Sequence, residues 1–174
     1  MAPRRAGLAG RAKSNPMVME LNGNKISFEI GPAPSGQALM FSLHPTLAGD
    51  TCRIADLPLS RVLLMKDKGF PWLILVPKRE GVREIHELTL DDRAILIEEV
   101  SLASMILTKL FNPVKINVGA LGNIVPQLHI HVIARFENDR AWPGPVWGST
   151  PKVPYSEEEI DSIVSRLKDA FSRS

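Results

Sequence analysis

The sequence predicts an α+β fold: a mostly antiparallel sheet of about five strands, with one long helix packed on it and a second helix near the C-terminus. Short apolar runs come in pairs separated by turn residues, which is typical of antiparallel hairpins. Two longer segments have helical periodicity and capping residues at their starts. The resulting order of hairpin, helix, hairpin and helix lacks the strict alternation that a doubly wound parallel sheet requires.

The composition is that of an ordinary globular chain. With 174 residues, 44% of them hydrophobic and 23% charged, it can bury the core of one domain. The net charge is only +2, and much of the basic excess lies near the start, so we expect no nucleic-acid partner. Cys52 is the only cysteine, which excludes an intrachain disulfide and a cysteine-cluster zinc site.

We interpret residues 1–16 as a disordered basic tail and residues 17–174 as a single domain. The tail has no apolar run long enough for a signal peptide, and no later segment reaches the ~18 apolar residues of a membrane span. These features predict a cytoplasmic protein without a membrane partner. An arginine-rich start without acidic residues also fits a transit peptide, or a true start at Met17.

The first half of the chain contains two predicted hairpins. Asn22-Gly23 separates two β-type runs and tolerates the positive φ of a tight turn. Residues 37–58 have no clear pattern and are interpreted as coil with one helical turn. The apolar runs Val62–Met65 and Trp72–Val76 then lie on either side of the polar turn Lys66–Gly69, which predicts a second hairpin.

A long helix follows the second hairpin. Thr89 and Asp92 have the N-cap and N3 spacing of a capping box, and Asn112-Pro113 ends the helix. Its apolar residues cover a wide face, so we expect the helix to pack under the sheet. These residues are Ala94, Ile95, Ile97, Val100, Met105, Ile106 and Leu110.

The last third of the chain combines two strands and a helix. Residues 114–120 are predicted to form a short strand, and residues 127–136 a second one after the turn Gly122-Asn123. Ser156 and Glu159 repeat the capping-box spacing at the start of a helix over residues 156–172. An apolar stripe on this helix is expected to dock on the domain: Ile160, Ile163, Val164, Leu167 and Phe171.

Strand alternation sorts the segment "QLHIHVIA" into two faces. Gln127, His129 and His131 share one face, and the opposite face carries the apolar residues Leu128, Ile130, Val132 and Ala134. Three roles stay open for the paired histidines. They are structural residues, or zinc ligands with further donors from His44, His86, Cys52 or a carboxylate, or the working groups of an enzyme.

The stretch Gln127–Ile133 resembles the signature strand of the histidine triad (HIT) superfamily, His-φ-His-φ-His-φ-φ with φ apolar, and Gln127 replaces the first histidine. The flanking residues extend the resemblance to about residues 61–147. "NVGALGN" is similar to an Asn-x-Gly turn followed by Gly-Gln, with Asn123 in place of Gln, and "AWPGP" is similar to a Trp-Pro-Pro-Gly tail. "FPWLILVPKRE" resembles another family strand, with Trp72 where the family has histidine.

The resemblance implies a HIT-like fold and a hydrolase or nucleotidyl transferase that acts at the α-phosphate of a nucleoside phosphate derivative. The expected substrates are dinucleoside polyphosphates or nucleoside phosphoramidates, with no cofactor and no metal. His129 would attack the phosphorus and form a covalent nucleotidyl-histidine, oriented by the main-chain carbonyl of Gln127. His131 would contact the phosphate or the leaving oxygen and, when protonated, offset the developing negative charge.

Further residues take substrate-binding roles through the same resemblance. Asn117 and Asn123 would donate to phosphate oxygens, and Asp67 would hold the ribose hydroxyls. Arg135 shares the histidine face by parity, which allows a phosphate contact or a surface salt bridge; Trp72 is expected to be core or pocket wall. The resemblance also implies a homodimer with a shared sheet. The altered triad keeps a second hypothesis open, a nucleotide-binding sensor or scaffold without turnover.

Overall fold

The computed structural model describes residues 16–21 and 24–29 as backbone strands, and residues 41–149 and 151–174 in full. The strands in these ranges are β1 (Pro16–Leu21), β2 (Asn24–Glu29), β3 (Thr51–Asp56), β4 (Ser60–Met65), β5 (Trp72–Pro77), β6 (Lys115–Gly119) and β7 (Ile130–Arg135). The helices are α1 (Pro45–Asp50), α2 (Leu90–Phe111) and α3 (Glu157–Ser172), with a short 3-10 turn at Ile85–Glu87.

The chain divides into two compact units, one of residues 1–39 with Ser174 and one of residues 40–173. In the first unit β1 and β2 pair antiparallel, with Leu21 opposite Asn24, which confirms the first predicted hairpin. The turn residues 22–23 and most of the predicted tail lie outside the described residues. The backbone bonds of β1 and β2 run between these two strands, and the single domain from residue 17 stays a prediction.

The second unit is built on a five-stranded antiparallel sheet of order β3-β4-β5-β7-β6. This sheet confirms the predicted α+β class and the hairpin of β4 and β5. Strand β3 falls in the segment that the sequence left as coil, whereas α1 is the helical turn expected there. The strand escaped prediction because a register shift between Arg53 and Ala55 interrupts the alternation of buried and exposed side chains along this edge strand.

Helix α2 packs against β5 and β7, as predicted, but with a different face. Of the seven expected core residues only Val100 and Ile106 are buried, and Ile97 is 62% exposed. The residues that do face the core include Leu96, Leu102, Ala103 and Leu107. Because apolar residues occur nearly all round this helix, its sequence does not determine which side faces the sheet.

Capping and one buried carboxylate fix the ends of these elements. The Thr89 side chain accepts the N–H of Asp92, and Ser156 and Glu159 form the complete capping box of α3. Glu99 of α2 is 1% exposed and accepts the backbone N–H groups of Leu59 and Ser60 at the start of β4.

Helix α3 lies against β3 and buries Leu167 and Phe171 of its predicted stripe. Within the described ranges, no helix combines the length and apolarity needed to cross a bilayer.

Candidate active site

The two histidines lie side by side at the start of β7. The strand begins at Ile130, three residues later than predicted, so Gln127 and His129 belong to the segment that leads into it. The ring centroids of His129 and His131 are 4.8 Å apart, with the ring planes at 81°. Both residues are buried, at 7% and 6% exposure. Two adjacent imidazoles that are nearly removed from water need internal hydrogen-bond partners.

The partner of His129 is the main chain two residues earlier. Its Nδ1 atom lies 2.7 Å from the carbonyl oxygen of Gln127. Because a carbonyl oxygen only accepts hydrogen bonds, Nδ1 carries the proton of the neutral ring, and Nε2 keeps its lone pair. His129 therefore has the tautomer that an Nε2 nucleophile requires.

Gln127 is held by its own side chain. Its Oε1 atom accepts the backbone N–H of His44 at 2.9 Å, and its Nε2 atom donates to the carbonyl oxygen of Ser42 at 2.9 Å. These two hydrogen bonds hold Gln127, the residue whose main-chain carbonyl orients His129. Gln127 also lines an open cavity of about 410 Å³, together with His44, Glu80 and Arg83 among other residues.

The hydrogen-bond partner of His131 is a side chain, the indole of Trp72. The indole Nε1 of Trp72 donates to its Nδ1 atom at 2.9 Å. Burial, with a smaller contribution from His129, lowers the pKa of His131 to about 3. Desolvation of the ring therefore favours the neutral form of His131 near pH 7. The expected role of a protonated His131 in offsetting charge during the reaction stays a prediction.

Two tryptophans surround His131. Trp72 is 8% exposed, and its register opposite Ile133 puts it on the histidine face of the sheet, one diagonal step from His131. Sequence reasoning assigned Trp72 to the core or the pocket wall and missed its hydrogen bond. The available signal was its position, where the family resemblance places a histidine. The ring of Trp147 lies 5.7 Å from that of His131.

Gly119 makes room for Trp147. A Cβ atom built on this glycine would lie 2.7 Å from Cη2 of Trp147, closer than real side chains approach. Gly119 also pairs with His131 in the register of β6 and β7. Any larger residue at this position would therefore displace the indole from the histidine pair.

Arg135 is fully buried, whereas the sequence allowed a phosphate contact or a surface salt bridge. It is 1% exposed; its guanidinium donates to Asp139 from Nε at 2.7 Å and to Oδ1 of Asn117 at 2.5 Å. It also donates to the carbonyl oxygen of Gly144 at 2.9 Å. These contacts engage the Arg135 guanidinium internally, because Asp139, four residues later, supplies a buried counter-charge. They use only the acceptor Oδ1 of Asn117, so donation from the Asn117 amide to phosphate stays a prediction.

Asp67 is likewise occupied by internal donors. Its carboxylate accepts from Arg140 at 2.6 Å and from the backbone N–H groups of Gly69 and Val153. Burial alone would raise the pKa of this carboxyl, but the Arg140 and backbone hydrogen bonds lower it on balance. Both carboxylate oxygens of Asp67 are therefore engaged within the protein, and the contact of Asp67 with ribose stays a prediction. Asn123, the remaining predicted donor, is exposed in the loop between β6 and β7.

The histidine pair lacks the companions of a metal site. In the described part of the chain, no group of three or more His, Cys, Asp or Glu residues is placed to hold a metal ion. Among the other donors considered from the sequence, His44 caps α1 by accepting from Thr46, and His86 is exposed. The Nδ1 atoms of His129 and His131 are both engaged in other hydrogen bonds.

Comparisons with known proteins agree with the sequence resemblance. The HIT domain family model matches residues 49–138. A histidine triad protein of Marinobacter aquaeolei VT8 is similar at 48% identity and a TM-score of 0.74, over 77% of this chain and 98% of that one. One from Bradyrhizobium japonicum is 45% identical with a TM-score of 0.72, over 75% of this chain and 97% of that one.

More distant structures share the fold alone. A zinc-bound histidine triad family protein from Mycobacterium smegmatis is 16% identical, with a TM-score of 0.52 over 74% of this chain and 94% of that one. A search of curated proteins gave no match.

Proposed function

The chain belongs to the histidine triad (HIT) family, and on that premise we propose that it is a nucleotide hydrolase or nucleotidyl transferase with His129 as its nucleophile. The substrate is a nucleoside phosphate derivative, either a dinucleoside polyphosphate or a nucleoside phosphoramidate, and reaction occurs at its α-phosphorus. The observation that carries the proposal is the hydrogen bond of 2.7 Å between Nδ1 of His129 and the carbonyl oxygen of Gln127. It leaves the lone pair of Nε2 available to attack.

The proposed reaction consists of two displacements at the α-phosphorus. Nε2 of His129 forms a bond to the α-phosphorus, and the bond from phosphorus to the leaving oxygen or nitrogen breaks with its electron pair. The leaving group takes a proton from water. The ring gains positive charge as Nε2 bonds to phosphorus, and the carbonyl dipole of Gln127 stabilises that charge. Water, or another acceptor in a transferase, then forms a bond to the phosphorus and loses a proton to solvent. The bond from phosphorus to Nε2 breaks with its electron pair returning to Nε2, which regenerates His129.

The replacement of the first triad histidine by Gln127 is compatible with this reaction. The orienting group is the main-chain carbonyl, which every residue type carries. The side-chain amide of Gln127 makes two further hydrogen bonds, to the backbone of His44 and Ser42 before α1. These bonds hold Gln127, and with it the main-chain carbonyl that orients His129. We propose that the cavity lined by Gln127, Glu80 and Arg83 binds the part of the substrate beyond the reacting phosphate.

Trapping of the covalent intermediate tests the proposal. The protein is incubated with an adenosine phosphoramidate or a diadenosine polyphosphate, and the reaction is quenched in base. The mass of the intact protein is then measured by mass spectrometry. We expect the added mass of one adenylyl group, which is AMP less water, located on His129 by peptide mapping and lost in acid. Tight nucleotide binding without adduct or turnover would instead support the sensor hypothesis. Stoichiometric zinc in the purified protein, lost in His131→Ala, would support the metal alternative.

We also propose a homodimer that pairs along β6. This strand is an edge of the five-stranded sheet, its Val118 is 50% exposed, and Val114, directly before the strand, is 57% exposed. Unpaired backbone groups next to exposed apolar side chains favour pairing with a second copy.

Sedimentation velocity tests this arrangement. The wild-type protein is expected to sediment as a dimer at micromolar concentration, and Val118→Lys as a monomer because charge on an edge strand opposes pairing. Ile85→Lys is the matched control, since Ile85 is 44% exposed and lies outside β6. A monomeric wild type, or a Val118→Lys dimer as stable as the control, would contradict the proposal.

A further inference from the structure

We propose that Trp72 is a positioning residue that holds His131 in the tautomer with its proton on Nε2, opposite to the tautomer of His129. The inference rests on the proposed function for its catalytic meaning. Its structural content rests on the hydrogen bond of 2.9 Å from Nε1 of Trp72 to Nδ1 of His131.

The tautomer follows from the chemistry of the two rings. An indole N–H donates and cannot accept, so the Nδ1 atom that receives it carries no proton. A neutral imidazole has one protonated nitrogen, which must then be Nε2. Burial of His131 at 6% exposure disfavours the doubly protonated ring and keeps the neutral form in use.

The two histidines thereby present complementary groups. His129 donates a hydrogen bond from its Nδ1–H to the carbonyl oxygen of Gln127 and keeps a lone pair on Nε2. His131 accepts from Trp72 on Nδ1 and keeps an N–H on Nε2. With ring centroids 4.8 Å apart, one ring attacks phosphorus while the other donates to a phosphate or leaving oxygen. Two rings with the same tautomer would offer two lone pairs or two donors.

Trp72 has the surroundings of a fixed donor. It lies 8% exposed on β5, and its ring contacts the rings of Phe70, His131 and Trp147 edge to face. A side chain packed on several sides loses little further freedom when it makes its hydrogen bond. Trp147 offers a contrast, since its buried Nε1 has no hydrogen-bond partner among the described residues, although its ring also lies beside that of His131.

The direct test is the protonation state of His131 in the wild-type protein, read from two-bond ¹H–¹⁵N correlation spectra. We expect an unprotonated Nδ1 and a protonated Nε2, unchanged from neutral pH down to about pH 4, because the pKa of His131 lies near 3. In Trp72→Phe, which keeps the aromatic packing, the proton is expected to distribute over both nitrogens. Trp147→Phe removes an indole N–H that does not bond to His131, so the His131 tautomer should stay as in wild type.

Kinetics supply the second readout. Trp72→Phe should lower kcat by about tenfold or more with a smaller change in KM, because orientation of the donor acts on the transition state. Trp72→His, which restores an N–H donor, should recover part of the loss. A protonated Nδ1 in the wild type, or an unaltered tautomer in folded Trp72→Phe, would overturn the inference. The spectra require no turnover, so this outcome is separate from a failure to find the adduct on His129.

Discussion

Alanine in place of His129 is expected to lower kcat/KM for adenosine phosphoramidate hydrolysis by about 10⁴-fold or more, which is the scale for loss of a covalent nucleophile. The reason is that no other described nitrogen has the same arrangement of a carbonyl-bound Nδ1 and a free Nε2 beside a second imidazole. Loss of the nucleophile forces direct attack by water, which lacks the two-step route. Steady-state kinetics over a range of substrate concentrations measure the effect.

The control for this experiment is His86→Ala. His86 lies exposed in the 3-10 turn before α2 and outside the histidine pair, so its removal should leave kcat/KM within a factor of two or so of wild type. Added imidazole should restore part of the activity of His129→Ala by occupying the space of the lost ring. If His129→Ala kept a tenth or more of wild-type activity, His129 would not be the nucleophile.

Methionine in place of Arg135 is expected to cost about 3–5 kcal/mol in the free energy of unfolding. The substitution keeps much of the apolar volume but leaves the Asp139 carboxylate, 2% exposed, without its buried counter-charge. Asn117 and the carbonyl of Gly144 lose their donor at the same time. Urea denaturation at pH 7 measures the loss.

Arg53→Met is the matched control, because Arg53 also pairs with an aspartate but its side chain is 61% exposed. An exposed pair contributes about 1 kcal/mol or less, so a small change is expected there. Equal losses in the two variants would show that burial of the Arg135–Asp139 pair does not matter for stability.

The Arg135 effect should also depend on pH. Burial alone would raise the pKa of Asp139, but hydrogen bonds from Arg135 and two backbone N–H groups lower this pKa below its usual range on balance. A carboxyl with a lowered folded-state pKa stabilises the protein fully above its unfolded pKa and progressively less as the pH falls through the folded value. The difference between wild type and Arg135→Met should therefore be largest near neutral pH and shrink below about pH 4.

The sequence was a better guide to local features than to packing. The caps Thr89 and Ser156 were predicted correctly, since a cap depends on residues within one helical turn. The hairpin of β4 and β5 was also local. By contrast, the buried face of α2 was wrong at Ile97, because the choice of face depends on the sheet on which the helix packs.

The candidate site shows the same division. Strand parity and the HIT resemblance selected His129, His131 and the Gln127 carbonyl from the sequence alone, because these residues lie within five positions of each other. Asp67 and Arg135 were given substrate roles, and the structure pairs each with a charge from the segment after β7. A sequence pattern does not reveal these ion pairs, because the partner residue lies in a loop that folds back onto the sheet.

By itself the sequence determined the family, the α+β class and the orientation of His129 through its neighbour Gln127. Only the tertiary structure decided the state of His131. The partner of its Nδ1 is Trp72, 59 residues earlier on β5, and the burial that keeps the ring neutral comes from packing around the strand. The physical reason is one of range: a main-chain carbonyl two residues away is present in any extended segment, whereas an indole donor and a desolvated pocket exist only once strands pair and side chains pack.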